Sequence, residues 1–381
     1  MKTTSMPGIY LHIPFCKQAC HYCNFHFSTT LNLQADFIAA LLKEIELKKD
    51  YLNGDNITSV YFGGGTPSLL SASQINHIIE QLAKYHTLNK DAEITLEANP
   101  DDLNKNYLID LKATPINRLS IGIQSFHDKD LQYMNRAHNA EEAKKCIDLA
   151  QAAGFNNLSI DLIYGTPGMD QQQWLANIKQ TLSYNMPHIS AYCLTIEPKT
   201  AFGNWFEKKE IAPINEDKAN QQYEILINEL NNNGYEQYEI SNFCLPGNEA
   251  KHNSSYWKGI PYLGLGPSAH SFNGNSRTWN ISNNAKYIKS INEGADFFET
   301  EKLSKPMQYN EYIMTALRTK WGISLDKIQQ KFGADFSKHL NQASSKYIKS
   351  GHIDSINDTF TLSMKGKHIA NQIISDLFVE Y

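Results

Sequence analysis

The sequence predicts an α/β fold of parallel strands joined by crossover helices, because short β-rich runs alternate with longer helical patterns about six times along the first 200 residues. Two further observations support it: the polar residues with chemical potential fall at or just beyond the strand ends, and the texture changes from about Lys302 onward. The strands read as GIYLHI (8 to 13), SVYFGG (59 to 64), EITLEA (93 to 98), RLSIGI (118 to 123), LSIDLIY (158 to 164) and ISAYCL (189 to 194). Helical periodicity lies between them, at Phe37 to Tyr51, Ser73 to Tyr85, Glu141 to Ala153 and Gln172 to Tyr184. Right-handed crossovers then give either an incomplete barrel or an open doubly wound sheet, and periodicity does not choose between them. After Lys302 a helix, a second helix near Ser337 to Ser350, a hairpin turning at Asn357-Asp358 and a last helix from Lys365 to Phe378 outline a small winged-helix-like domain.

A chain of 381 residues with 41% hydrophobic and 20% charged residues has the composition of a globular protein able to bury a sizeable core. The net charge of −5 gives no general attraction to phosphate backbones or anionic lipid. Residues 301 to 381 carry 11 Lys and Arg against 8 Asp and Glu, but these are dispersed, so no nucleic-acid partner is expected. The opening MKTTSMPGIYLHIPFC has no apolar core or small-residue cleavage site, and no apolar run is long enough to span a bilayer; a cytoplasmic location is the expectation. Three of the six cysteines crowd residues 16 to 23, suggesting metal binding, whereas Cys146, Cys193 and Cys244 are scattered, suggesting packing.

In such folds the loops leaving the strand C-termini gather at one face. Cys16, Cys20 and Cys23 follow the first strand, Gly63 to Pro67 end the second, Glu97 ends the third, Gln124 follows the fourth and Asp161 lies in the fifth. The spacing Cys16-x3-Cys20-x2-Cys23 lets one loop aim three thiolates at a common point. An iron-sulfur cluster would keep a fourth position open, whereas a structural zinc would need a further donor such as His21 or His26. Gly63-Gly64-Gly65-Thr66-Pro67-Ser68 is either a plain strand-to-helix turn or a loop whose glycines let backbone approach a ligand. Read singly, Asp161 would cap a helix, Glu97 and Arg136 would pair, and Gln124 would be solvated.

Taken together, Tyr10-Leu-His-Ile-Pro-Phe-Cys16, the cysteine triplet, GGGTPS, LEANP (96 to 100), RLSIGIQSF (118 to 126), Arg136-x-His138 and IDLIYGTPG (160 to 168) resemble the radical-SAM, oxygen-independent coproporphyrinogen III oxidase-like family over nearly the whole chain. The resemblance implies a partial (β/α)6 radical-SAM barrel with a small C-terminal helical, winged-helix-like domain. It divides the chain into a core (1 to 235), a family-specific extension (236 to 300) and a C-terminal domain (301 to 381). It also implies a 4Fe-4S cluster on Cys16, Cys20 and Cys23, and S-adenosyl-L-methionine held by Tyr10, Gly64, Gly65, Thr66, Glu97, Gln124, Arg136 and Asp161. Carboxylates suit ribose hydroxyls or an ammonium group, and Arg136 suits a carboxylate.

Two branches of that family differ in function: dehydrogenases that decarboxylate coproporphyrinogen, and HemW-type chaperones that bind heme. Dehydrogenases carry another cysteine two residues after the third ligand, where this chain has Phe25, and a longer segment ahead of the first strand. Lys251-His252-Asn253-Ser254-Ser255-Tyr256-Trp257 matches the chaperone motif His-Asn-x-x-Tyr-Trp. The resemblance thus implies heme as bound cargo near His252, Tyr256 and Trp257, with Cys244 and His270 as alternative contacts. A buried His-Asn pair among core aromatics is the structural alternative. His12 and His138 flank the cofactor rim. YEISNFCLPG (238 to 247), GLGPSAHSF (264 to 272) and Arg277-Thr-Trp-Asn280 are expected to form the wall facing the cluster. The implied partners are recipient heme proteins, respiratory-chain components at the membrane among them, and association as a homodimer is compatible with this branch.

Overall fold

The computed structural model describes residues 6–380; part of the opening segment read above, residues 1–5, lies outside them. Six parallel strands come first: β1 (Gly8–Ile13), β2 (Ile57–Gly64), β3 (Leu88–Ala98), β4 (Arg118–Gln124), β5 (Leu158–Tyr164) and β6 (His188–Cys193). They hydrogen-bond in chain order with no reversal. Unreversed right-handed crossovers lay their helices on one face of the sheet, which is the winding of a barrel. A doubly wound sheet would reverse its strand order, so the partial barrel is the correct alternative.

Six more strands extend this sheet instead of closing it. At the β6 edge lie β7 (Glu236–Glu239) and β8 (Asn242–Cys244); at the β1 edge lie β9 (Tyr262–Leu265), β10 (His270–Phe272), β11 (Ser276–Asn280) and β12 (Phe298–Lys302). YEISNFCLPG therefore stands at the opposite edge from GLGPSAHSF and Arg277 to Asn280. The expected wall facing the cysteines does not form: one segment pairs with β6 and lines neither large cavity, while the others follow β9, the parallel partner of β1, and line a second cavity beside the first through Ser268, His270, Phe272 and Arg277.

The crossover helices cover the outer face at Gln34–Leu47, Ala72–Tyr85, Lys105–Lys112, Ala140–Ala152, Gln171–Ser183 and Glu216–Asn232. Two of these, Lys105–Lys112 and Glu216–Asn232, were absent from the sequence expectation. Several starts are fixed by side chains: Ser71, Asn139 and Asp170 each form a reciprocal capping box with the residue three positions on. Ile9, Leu11 and Ile13 join a continuous core with the apolar faces of these helices, while Tyr10 and His12 point into cavities on the inner side. Glu44, fully buried, accepts from Gly266 N at 2.7 Å, Asn280 Nδ2 at 2.6 Å and Tyr287 Oη at 2.5 Å. That carboxylate ties the β9–β11 wall to the first helix, and its three bonds offset the cost of burying it.

A second core, built from Tyr309, Ile313, Leu340, Phe360, Ile373 and their neighbours, marks the C-terminal portion. Its three-stranded sheet has the order β13 (Ile323–Ser324), β15 (Thr359–Leu362), β14 (Ile353–Ile356). The hairpin turns at Asn357 and Asp358, both with positive φ (49° and 56°), as a two-residue primed turn requires. The last helix is not continuous: it breaks at Ile369 into Met364–His368 and Ala370–Asp376. Its first turn is pinned to the hairpin, since Ser363 N donates to His352 O at 3.0 Å and a Cβ on Gly366 would lie 2.0 Å from that oxygen. Among the described residues no helix is long and apolar enough to cross a membrane.

At Gly264 of β9 the backbone of β10 leaves no room for a side chain: a Cβ there would sit 2.0 Å from the carbonyl oxygen of His270. Since that neighbour is backbone, Gly264→Ala is expected to destabilise the protein by about 1–3 kcal/mol. Urea unfolding that matches the wild type would show that the two strands can part freely.

Candidate functional site

The strand C-termini surround a cavity of about 400 Å³. Its lining includes Cys16, Cys20, Cys23, Gly64, Gly65, Thr66, Glu97, Gln124, Arg136 and Asp161, drawn from five strand-end loops and the Arg136 segment. Thirteen of the fourteen residues expected from the sequence thus fall into two groups, these ten and a second set around Tyr10, Tyr256 and Trp257; His252 is buried apart from both cavities.

The cysteine loop is braced from two sides. Thr66 Oγ1 donates to Cys16 Sγ at 3.3 Å, and Arg136 Nη1 lies 3.3 Å from Cys20 Sγ. Burial raises the Cys16 thiol to about 11, partly eased by the Thr66 hydroxyl, and also raises Cys23. All three are free thiols. Metal binding would draw protons from them, and the nearby guanidinium favours the thiolate form. Among the described residues no three His, Cys, Asp or Glu side chains close around a single metal ion. His21 Nδ1 is engaged with Tyr133 O at 2.9 Å and His26 Nε2 with Asn284 Oδ1 at 2.7 Å. A cubane asks each thiolate for a separate iron and needs no histidine donor.

Beside the thiols, backbone makes a cradle. Gly64 has φ +107°, and a Cβ on Gly65 would meet Phe15 O at 2.7 Å and Ile13 O at 2.8 Å. Gly64 N donates to Glu97 Oε2 at 3.2 Å and Tyr61 Oη to Glu97 Oε1 at 2.7 Å. Glu97 does not pair with Arg136. The guanidinium spans Gly122 O (2.8 Å), Asn99 Oδ1 (2.7 Å) and Cys20, leaving a buried Nε without a partner. Burial lifts the Glu97 carboxyl to about 7, opposed by Tyr61, and also raises Asp161, opposed by Ser190. Gln124 takes a left-handed φ of 64° where the β4–β5 register slips, a strained backbone of the kind that gathers at binding sites.

Asn99, which no separate sequence argument singled out, stitches the cavity by donating to Thr66 Oγ1 at 3.3 Å and accepting from Arg136. It stands in LEANP, so its position past the third strand was the available signal. Tyr22, Ser120, Tyr192, Thr195 and Glu197 complete the wall without a local pattern to announce them.

Tyr10 lines a neighbouring cavity of about 600 Å³ and stacks on Tyr61 of β2 at 6.2 Å. Its hydroxyl contacts His12 Nδ1 at 3.1 Å, and His12 Nε2 meets His26 O at 2.8 Å. Tyr256, Trp257, Tyr262, Phe272 and Tyr312 supply further aromatic walls, and Asn24 and Phe25 border both cavities. His252 is 2% exposed and lies beside Gly8 at the start of β1 and Ser59 near the start of β2, the end of those strands away from the cysteines. Its Nδ1 is 2.9 Å from Ser59 Oγ and its Nε2 2.7 Å from Tyr256 Oη. Burial pushes its pKa down to about 3, and Glu93 accepts from the backbone of Lys251 and His252. His138 bonds Ile123 O, and Cys244 is buried in packing.

The Radical SAM superfamily profile matches residues 10–180, and that of the HemN C-terminal domain residues 303–367. The heme chaperone HemW of Bacillus subtilis is 32% identical over 97% of this chain and 98% of its own length. The chain belongs to the HemW family. The HemW of Lactococcus lactis is 31% identical, covering 97% of each chain. Coproporphyrinogen III oxidase (HemN) of Escherichia coli superposes with a TM-score of 0.82 at 23% identity, over 99% of this chain and 91% of that one, which establishes the shared fold.

Glu97 makes the site's electrostatics measurable. With its pKa raised from 4.5 to about 7 in the folded chain, the folded state binds the proton more tightly than the unfolded state. The cofactor-free protein should therefore lose stability as pH rises between those values. Glu97→Gln is expected to remove that slope and raise Tm by a few degrees above about pH 7. Parallel pH profiles for the two proteins would contradict this.

Proposed function

We propose that this chain binds heme and delivers it to heme proteins, respiratory-chain components among them, on a scaffold that holds a 4Fe-4S cluster and S-adenosyl-L-methionine. The observation that carries the reading is the adjacency of two cavities of different chemistry, one lined by three free thiols and a glycine cradle, the other by aromatic rings, with Asn24 and Phe25 between them. The larger, about 600 Å³, lies within the roughly 300–1,000 Å³ range of small-molecule sites. The full-length similarity to proteins named heme chaperones supports the same assignment.

Cys16, Cys20 and Cys23 are the cluster ligands in this proposal, with Thr66 and Arg136 stabilising sulfur charge through their donors. Bound there, the cluster and sulfonium cofactor would supply one-electron reductive chemistry. Gly64 and Gly65 admit the cofactor's amino-acid end, and Glu97 and Asp161 offer acceptors for its hydroxyl or ammonium donors. Gln124 borders the same space. Arg136, with its terminal nitrogens committed to Asn99, Gly122 and Cys20, is chiefly a brace for the thiol loop. Tyr256 and Trp257 line the heme cavity with aromatic rings, and His252 supports Tyr256 through its hydroxyl.

Phe25, 65% exposed at the border of both cavities, offers no thiol toward a substrate. Reconstituted protein incubated anaerobically with S-adenosylmethionine and a reductant should bind heme stoichiometrically and form no protoporphyrinogen from coproporphyrinogen III. Decarboxylated product at catalytic turnover would replace this reading with the dehydrogenase one. In the same preparation Cys20→Ser should abolish cluster absorbance, and full retention would remove Cys20 from the ligand set.

A further inference from the structure

The larger cavity has its own nitrogen donor and its own unpaired cations. Of the histidines near its walls, His12 has both ring nitrogens engaged, and His252 lies behind Tyr256 with both of its own engaged. His26 has one nitrogen committed to Asn284. His270 differs: its side chain lines the cavity, is exposed, and has no hydrogen-bond partner among the described residues. Its backbone is nevertheless fixed, since β10 pairs with β11 through His270 and Trp279 and is drawn against Gly264 of β9. An available imidazole on an anchored strand is what an axial metal donor requires.

Another part of the lining comes from the C-terminal portion. Lys327 and Lys331 lie four residues apart on the helix Leu325–Lys331, and both line the cavity. Like charges at that spacing repel. Among the described residues neither ammonium has a carboxylate partner; Lys327 lies 4.3 Å from the Tyr312 ring centroid and Lys331 5.3 Å from that of Phe332. Arg277, in contrast, is paired with Glu311 at 2.5 Å. A pair of uncompensated ammonium groups above aromatic walls suits a flat apolar ligand carrying carboxylates.

We propose that His270 is the protein ligand to heme iron and that Lys327 and Lys331 anchor the heme carboxylates, so that cargo is held between β10 and the C-terminal domain. This rests on the heme-binding reading above and adds the residues that hold the ligand. It also gives the C-terminal portion a task, since displacement of Leu325–Lys331 would release the carboxylates and open the cavity together.

The test uses full-length reconstituted protein titrated with ferric heme, metal-free protoporphyrin IX and the dimethyl ester of heme. His270→Ala should remove the shift of the heme Soret band and weaken heme binding by roughly tenfold or more, while metal-free porphyrin binds nearly as before. Added imidazole should restore the spectrum. The double substitution Lys327→Gln with Lys331→Gln should weaken heme by a similar roughly tenfold factor and leave the dimethyl ester unaffected. Unaltered cluster absorbance would verify folding of each variant. A wild-type Soret spectrum in His270→Ala would overturn the iron assignment, and equal losses for heme and its ester would overturn the carboxylate anchor. If wild-type protein itself bound no heme, the functional reading would fail, an outcome distinct from both.

Discussion

Everything in this molecule depends on six parallel strands hydrogen-bonded in the order in which they are synthesised. Because each right-handed crossover returns on the same side, the helices form one outer layer and the inner face of the sheet curls around polar groups. The thiol loop after β1, the glycine loop after β2 and the side chains ending β3, β4 and β5 then have no alternative to meeting at one rim. Extra strands at both edges leave the sheet open, and the β9–β11 edge supplies the wall of a second cavity that a closed barrel would lack.

The inner face is organised by a column of polar contacts more than by apolar packing. His252 stacks on Tyr61 at 5.1 Å, Tyr61 donates to Glu97, and Glu97 accepts from Gly64 at the rim. Arg118, 2% exposed, contributes positive charge beneath Glu97 and Asp161 and opposes the rise of both carboxyls. Such a column is costly to bury unless its members bond one another. It links the end of the sheet that carries the histidine motif to the end that carries the cysteines, so the two sequence signatures share one support while lying far apart.

The rim was legible in the sequence because each of its parts is local. Cysteine spacing, glycine runs and a residue two places past a strand are properties of a few consecutive positions. The hairpin at Asn357-Asp358 was readable for the same reason, since two residues that tolerate positive φ announce the turn. Tyr10 was grouped with the cofactor residues by motif; that it lines the second cavity follows from the tertiary packing. The break at Ile369 and the division of the expected wall between two sheet edges depend on partners distant in sequence, and no window of periodicity contains them.

By itself the sequence determined the parallel α/β class, the gathering of Cys16, Cys20, Cys23, Glu97, Gln124 and Asp161 at strand ends, and the family resemblance, because alternation and spacing are set by neighbouring residues. Only the tertiary structure decided that the winding is that of a barrel, that His252 is enclosed between Ser59 and Tyr256, and that His270, Lys327 and Lys331 line one cavity. Those facts concern residues tens to hundreds of positions apart, and their proximity follows from strand order and register, which local chemistry leaves open.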